Sequence, residues 1–269
     1  MKSICCIGTS HIGALKGGWE QMAPQWTGLK MTFFGAPNLQ GVESLGFLAL
    51  EGRHLVPTDA DVEKYFSLTS GGLNRIDLDA YDAFIVMSGV GPTRPFDLYT
   101  VFRTDEQVHT EAHTLLSPSC LVEAIAGNFR DTNGYRLATA LAQLGRPIFL
   151  APEPRPSEAL LAGGDSEVAI WDFYIKLFTQ MFTNGDHLTQ ANYYRSALEA
   201  VRQSGVAVID APAELIVNGM FTPHRFSRGA FWLQNERYEP SPQDDFFHMN
   251  HDWGAGVLRA ILARLTGRA

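Results

Sequence analysis

Five short runs of continuously apolar residues are spaced along the chain: Ile4 to Ile7, Leu29 to Phe34, Ala83 to Met87, Pro147 to Leu150 and Val206 to Ile209. Each is too short for a helix and does not alternate with polar residues. That is the pattern of parallel strands covered on both faces. Each run ends in turn-forming residues: Gly8-Thr9-Ser10, Gly35-Ala36-Pro37, Ser88-Gly89-Val90-Gly91, the proline-rich 152–156, and Asp210-Ala211-Pro212. Helical spacing fills the intervals. Ile12, Leu15, Trp19 and Met22 share one face after the first run, although Gly17 and Gly18 weaken that helix by about 1 kcal/mol each relative to Ala. Ser117-Pro118 reads as a helix N-cap followed by Pro at the first helical position. Further helices are expected over 136–144, 167–183 and 189–203. An amphipathic helix carrying Trp253, Val257, Leu258, Ile261, Leu262 and Leu265 closes the chain. Phe47 to Val56 suggests an edge hairpin, and Ser70-Gly71-Gly72 a turn. Strands alternating with helices predict an α/β fold, one doubly wound domain over 1–269 with insertions near 40–80 and 156–205. Ligands of such sheets bind at the carboxyl ends of the strands.

Composition narrows the functional classes. The chain has 269 residues, 45% of them hydrophobic, which is enough for a sizeable core. Lys plus Arg number 21 and Asp plus Glu 29, for a net charge of −8. An acidic chain is a poor partner for nucleic acid, whose phosphates require a cationic surface. No apolar run reaches the roughly 18 residues of a membrane span. The three cysteines, Cys5, Cys6 and Cys120, are too few and too irregular for a disulfide framework and fit a reducing compartment. The first eight residues read as a strand rather than a signal segment, so a cytoplasmic location is expected.

Candidate chemistry lies at the strand ends. Ser10 follows the first strand at the mouth of a helix, where backbone N–H groups can stabilise a developing oxyanion. In that segment alone a plain N-cap is the simpler reading. The segment Asp244-Asp245-Phe246-Phe247-His248-Met249-Asn250-His251 adds a second element. Asp245 precedes His248 by three residues, so one loop can hold both, with the carboxylate accepting Nδ1–H and Nε2 left to take a proton. Nucleophile, base and orienting group are then all available.

These two segments resemble blocks of the SGNH, or GDSL-type, hydrolases. Gly8-Thr9-Ser10 is similar to the family's Gly-Asp-Ser, and Asp245-x-x-His248-Met-Asn to its Asp-x-x-His-Pro-Asn. The resemblance implies a flavodoxin-like three-layer α/β/α sandwich with a mostly parallel five-stranded sheet of order 2-1-3-4-5. It also implies cleavage of a small carboxylic ester, such as an O-acetyl group, through an acyl-enzyme, with Ser10 as nucleophile, His248 as base, Asp245 as orienter and no cofactor. Ser10 and Gly35 would supply oxyanion N–H groups. Two features depart from the pattern: Thr9 replaces the Asp, and the family's Gly-x-Asn-Asp block is absent, Ser88-Gly89-Val90-Gly91 standing at the third strand end. Loss of one such donor can cost about 10²–10³ in rate. Gly89 or Asn128 would then complete the oxyanion hole. Otherwise the fold serves an acyltransferase, a lyase, or a non-catalytic small-molecule or carbohydrate-binding module.

Other readings compete for the same residues. His248-x-x-His251 with Asp244, Asp245 and Asp252 has a spacing that can put two imidazoles on one helical face, but no third metal-ligand block accompanies it. Gly89-Val90-Gly91 lacks the third glycine of a dinucleotide fingerprint, and Gly8 to Gly13 lacks the Lys-Ser/Thr of a P-loop. Arg94, Arg155 and Arg225 follow strands or precede the His248 loop. They are expected at the rim, where guanidinium groups would suit an anionic portion of the substrate, the alternative being ordinary salt bridges. His11 is expected either as a second polar group contacting substrate in the site or as a surface residue on the first helical turn, and His251 to cap or line the pocket. Residues 171–178 are apolar around most of a helix, as suits burial or, second, a homodimer contact.

Overall fold

The computed structural model describes residues 1–37, 48–87, 96–108, 114–151, 153–162, 169–202, 206–234, 237–241 and 245–267. In chain order the elements are β1 (Lys2–Gly8), α1 (Ile12–Met22), β2 (Leu29–Gly35), β3 (Leu48–Glu51), β4 (His54–Pro57), α2 (Ala60–Ser70), β5 (Ile76–Asp77), β6 (Ala83–Met87), β7 (Phe102–Arg103), β8 (Thr114–Leu115), α3 (Pro118–Arg130), α4 (Asn133–Ala142), β9 (Ile148–Ala151), α5 (Ala169–Thr183), α6 (His187–Arg202), β10 (Ala207–Val208), β11 (Phe231–Gln234), β12 (Arg237–Pro240) and α7 (His251–Thr266).

The central sheet has the order β10-β9-β6-β1-β2, and every pairing in it is parallel. With its strands counted in chain order this is 2-1-3-4-5, the order the SGNH resemblance implies. The register runs from Lys2 opposite Leu29 to Gly8 opposite Gly35, and from Ile4 opposite Ala83 to Gly8 opposite Met87. The carboxyl ends of β1, β2 and β6 are therefore level. The continuous apolar runs arise because both sheet faces are covered. Cys5 and Ile7 point into a core with α2, α3, α4 and α6, while Ile4 and Cys6 point into another with α1 and α7. A third cluster joins Ile175, Phe178 and Met181 of α5 to Phe96, Leu160 and Phe221. Of the stretch 171–178 expected to be buried, Ile175, Leu177 and Phe178 are buried and Phe173 is exposed.

The hairpin expected over 47–56 forms as β3–β4, but not at an edge of the main sheet. With β5 it makes a separate antiparallel sheet whose Leu48, Leu55 and Ile76 join the α2 core. The helix α2 has no counterpart in the sequence reading. Asp59 caps its start by accepting the Asp61 N–H, and Gly71 ends it in the left-handed conformation at φ 82°.

Gly17 and Gly18, which weaken α1 as an isolated helix, are explained by α7. A Cβ at Gly18 would overlap the backbone nitrogen of Ala255, one at Gly17 the ring of His251, and one at Gly254 the carbonyl oxygen of Ala14. The two helices thus meet backbone to backbone, and no side chain larger than hydrogen fits at the crossing. Gly127 of α3, by contrast, faces open space. Gly254→Ala is expected to destabilise the protein by about 3 kcal/mol or more, because the obstacle is backbone rather than a flexible side chain. Gly127→Ala is expected to stabilise it by about 0.5–1 kcal/mol through helix propensity. Urea denaturation of the two variants beside the wild type checks both signs.

Candidate active site

Ser10 stands one residue beyond the turn that leaves β1. Gly8 ends the strand where a Cβ would lie 2.7 Å from the Met87 carbonyl oxygen, and the Thr9 N–H donates to that same oxygen at 3.2 Å. The chain then turns directly into α1, with the N–H of Ile12 and Gly13 donating to the carbonyls of Thr9 and Ser10. Among the described residues no acceptor takes the backbone N–H of Ser10 or His11. His11 occupies the position before α1, but its side chain makes no cap hydrogen bond.

The loop before α7 is held from several sides. Asp245 Oδ1 accepts the N–H of Phe247 at 2.9 Å and of His248 at 3.0 Å, curling the loop so that Oδ2 faces the imidazole. The Phe246 carbonyl accepts the Ser157 N–H at 2.7 Å. Asn250 caps α7 through Oδ1, which accepts the N–H of Asp252 and Trp253, while its Nδ2 donates to the carbonyls of Arg225 and Arg228. The sequence reading placed the loop correctly but assigned Asn250 no part. The signal was there, an Asn immediately before an amphipathic helix.

These two segments bring the three expected residues together. Ser10 Oγ lies 2.8 Å from His248 Nε2, and His248 Nδ1 lies 2.7 Å from Asp245 Oδ2. The Asp245 side chain is fully enclosed, and that of His248 is 12% exposed. Burial pushes the Asp245 carboxyl up, but the His248 ring and the two backbone N–H donors more than offset it, so its pKa lies below the usual carboxylate value. An ionised carboxylate only accepts, so Nδ1 carries the ring proton and Nε2 is left bare toward the Ser10 hydroxyl.

His11 also reaches this group. Its ring centroid is 4.7 Å from that of His248, the planes tilted by 31°. Its Nδ1 is enclosed without a hydrogen-bond partner. Desolvation, and then the neighbouring His248, push its pKa down to about 3, so it is neutral wherever the protein would work.

Other expected residues lie elsewhere. Gly35 cannot give its N–H to an oxyanion, because that N–H donates to Thr69 Oγ1 at 3.0 Å. The N–H of Ala36 donates to the Gly8 carbonyl. Gly35 is glycine because a Cβ there would overlap Ile12. Asn128 lies near the end of α3, whose apolar face belongs to the core on the far side of the sheet from α1 and α7, and it makes no hydrogen bond to Ser10 or His248. Arg155 is no rim residue. It is 3% exposed, paired in bidentate fashion with Asp210 at 3.0 and 3.2 Å, and its guanidinium sits 5.1 Å from the Tyr194 ring centroid. It clamps the ends of β9 and β10. Arg225 is exposed, over the Phe226 ring. His251 stacks on Phe231 and lines a cavity of about 230 Å³ with Gly13, Lys16, Gly17, Glu20 and Tyr238, apart from Ser10 and His248. Gly89, Arg94 and Asp244 lie outside the described residues.

His248 meets Ser10 and Asp245 through its two ring nitrogens and His251 stacks on Phe231, so the two imidazoles of His248-x-x-His251 have separate partners. A feature absent from the sequence reading is a polar cavity of about 350 Å³ beside the Asp245 loop, lined by His224, Ser227, Arg228, Ser241 and Phe246 among others. Among the described residues Arg228 lines it and Arg225 does not.

No family model matches the chain, and no curated protein matches it. Among solved structures it is similar to the periplasmic domain of a lipopolysaccharide acetyltransferase of Salmonella ser. Paratyphi A, at 9% identity over 99% of this chain and 84% of that one, TM-score 0.43. It is also similar to a carbohydrate acetylesterase family member of Sinorhizobium meliloti, at 10% identity over 99% and 100% of the two chains, TM-score 0.41. A third is a lipase from a goat rumen metagenome, at 8% identity over 100% and 99%, TM-score 0.43. Likenesses this distant identify no residue, and the roles assigned below rest on the distances within the site.

A neutral, partly buried imidazole and a buried carboxylate both make stability depend on pH. Between about pH 6.5 and the folded value of about 3, the unfolded chain carries a proton on His11 that the folded chain does not, so acidification across that window favours unfolding. The Asp245 contribution is full above its unfolded value of about 3.9 and is lost as pH falls through its lowered folded value. The expectation is that His11→Phe loses less stability than wild type between about pH 7 and about pH 4.5, as read by urea denaturation. Equal losses would show that His11 is protonated in the folded chain.

Proposed function

We propose that the protein is a serine-dependent acyl hydrolase acting on a small carboxylic ester. The observation that carries this reading is the continuous hydrogen-bonded line Ser10 Oγ, His248 Nε2, His248 Nδ1, Asp245 Oδ2, at 2.8 and 2.7 Å. It stands at the carboxyl end of a central parallel strand, where sheets of this kind bind their ligands.

The chemistry follows from the arrangement. Ser10 Oγ bonds to the ester carbonyl carbon as its proton passes to His248 Nε2. Ionised Asp245 stabilises the imidazolium and keeps the proton on Nδ1. The tetrahedral intermediate collapses as His248 gives its new proton to the leaving alkoxide, releasing the alcohol and leaving an acyl-Ser10 ester. Water then attacks that ester, His248 takes the water proton, and collapse returns the proton to Ser10 Oγ and releases the acid. The oxyanion is met by the Ser10 N–H, which no described acceptor takes. With Gly35 committed to Thr69, a second donor is not supplied by the described end of β2.

The polar cavity beside Asp245 suits a hydrophilic part of the substrate, and Arg228 gives it a cation for an anionic portion. Similarity to an acetylesterase and an acetyltransferase makes acetyl the first acyl group to try and an alcohol the first alternative acceptor to water.

A fluorophosphonate probe should label wild-type protein at Ser10 and leave Ser10→Ala unlabelled, by mass spectrometry of the digest. Turnover of p-nitrophenyl acetate should fall by about 10⁴ in Asp245→Asn, which keeps the shape and loses the charge that selects the tautomer. Absence of labelling in the folded wild type overturns the hydrolase reading. Product analysis with and without an added alcohol separates hydrolysis from transfer.

A further inference from the structure

We propose that His11 is a positioning residue for the general base: its ring packs on the His248 imidazole, 4.7 Å between centroids, and keeps that ring aligned between Asp245 and Ser10 when the Ser10 bond is absent. The inference rests on the hydrolase reading and adds a residue to which no role follows from the resemblance.

The need arises midway through the reaction. In the resting state the His248 ring is tied at both ends, to Asp245 and to Ser10. Once Ser10 Oγ is esterified it has no proton to donate, and the Nε2 end is released. The ring must nonetheless hold its place to activate water. Of its resting contacts, the Asp245 bond and the ring contact with His11 persist. One hydrogen bond to Asp245 Oδ2 fixes one end of the ring, and packing on its surface resists rotation about that end.

Three features of His11 suit this use. It directly follows Ser10, so the turn that aims the nucleophile also aims this ring. Its side chain makes no cap hydrogen bond to α1, although it occupies the capping position. Its Nδ1 has no partner, so what the ring contributes is contact rather than hydrogen bonding. The groups acting electrostatically on His11 are His248 and Asp245. A second cation here would oppose the imidazolium that His248 becomes. The neutrality of His11 removes that conflict, with its pKa near 3 in support.

The test compares His11→Ala, His11→Phe and His11→Lys, each checked for a wild-type-like fold by circular dichroism. With p-nitrophenyl acetate, His11→Ala should lower kcat by about 10–100-fold through slower deacylation, with a clearer burst of p-nitrophenol, in line with the cost of a misplaced catalytic group. His11→Phe, a neutral ring of similar shape, should restore kcat to within about threefold of wild type. His11→Lys should move the acid limb of the kcat/KM profile down by about 1–3 pH units. It should also move the His248 titration seen by NMR downward relative to wild type. The positioning role is overturned if His11→Ala keeps the wild-type kcat and pH profile, or if His11→Phe is no more active than His11→Ala. Failure of Ser10 to take a fluorophosphonate overturns the hydrolase reading instead. In that event an unmoved His248 titration in His11→Lys, read without substrate, still refutes the contact itself.

Discussion

The backbone-to-backbone contact of α1 with α7 is the constraint on which the rest of the site depends. Ser10 precedes α1, and His248 precedes α7. Their side chains are separated by 238 positions in sequence and by 2.8 Å in space. Only the packing of the two helices on one sheet face closes that gap. Gly17, Gly18 and Gly254 let the helices approach until backbone touches backbone, and Trp253, Leu258 and Ile261 fill the same core beneath them. Interiors packed to this density adjust little, so the hydroxyl–imidazole distance inherits the rigidity of the helix crossing.

A second constraint is the desolvation of Asp245. A buried carboxylate is costly unless its lone pairs are taken. Here two backbone N–H groups and one imidazole N–H take them. The same three bonds fold the loop, hold the carboxyl ionised and select the histidine tautomer. Asn250 extends the arrangement, since one side chain caps α7 and ties the loop to the segment 225–228. Loop conformation and proton position are thus set together.

The described end of β2 differs from what the resemblance implies for it. Level strand ends bring Gly8, Gly35 and Met87 together, and the N–H groups of Thr9 and Ala36 are spent on joining them. Gly35 turns its N–H outward to Thr69, a residue of α2 whose carbonyl also accepts from Lys16 Nζ. Among the described residues, no acceptor takes the N–H groups of Ser10 and His11.

The strands, the closing helix and the Asp245–His248 pair were legible in the sequence because each is local. Two-faced burial writes an apolar run, an amphipathic helix writes its period, and an Asp three residues before a His can share one loop with it. Helix α2 was not read from the sequence: beside Val62, Tyr65 and Phe66 on its inner face it carries an exposed Leu68, and polar residues fill most of its other positions. Three-dimensional packing alone decided the rest. Gly35, Arg155, His251 and Asn128 are plausible site residues by position, but hydrogen-bond partners and packing from distant segments had already claimed the first three, and the far face of the sheet holds the fourth. Gly17 and Gly18 read as weak points of a helix until α7 is laid against them. What a residue type can do chemically is written in the chain; whether its atoms are still free to do it depends on neighbours tens to hundreds of positions away.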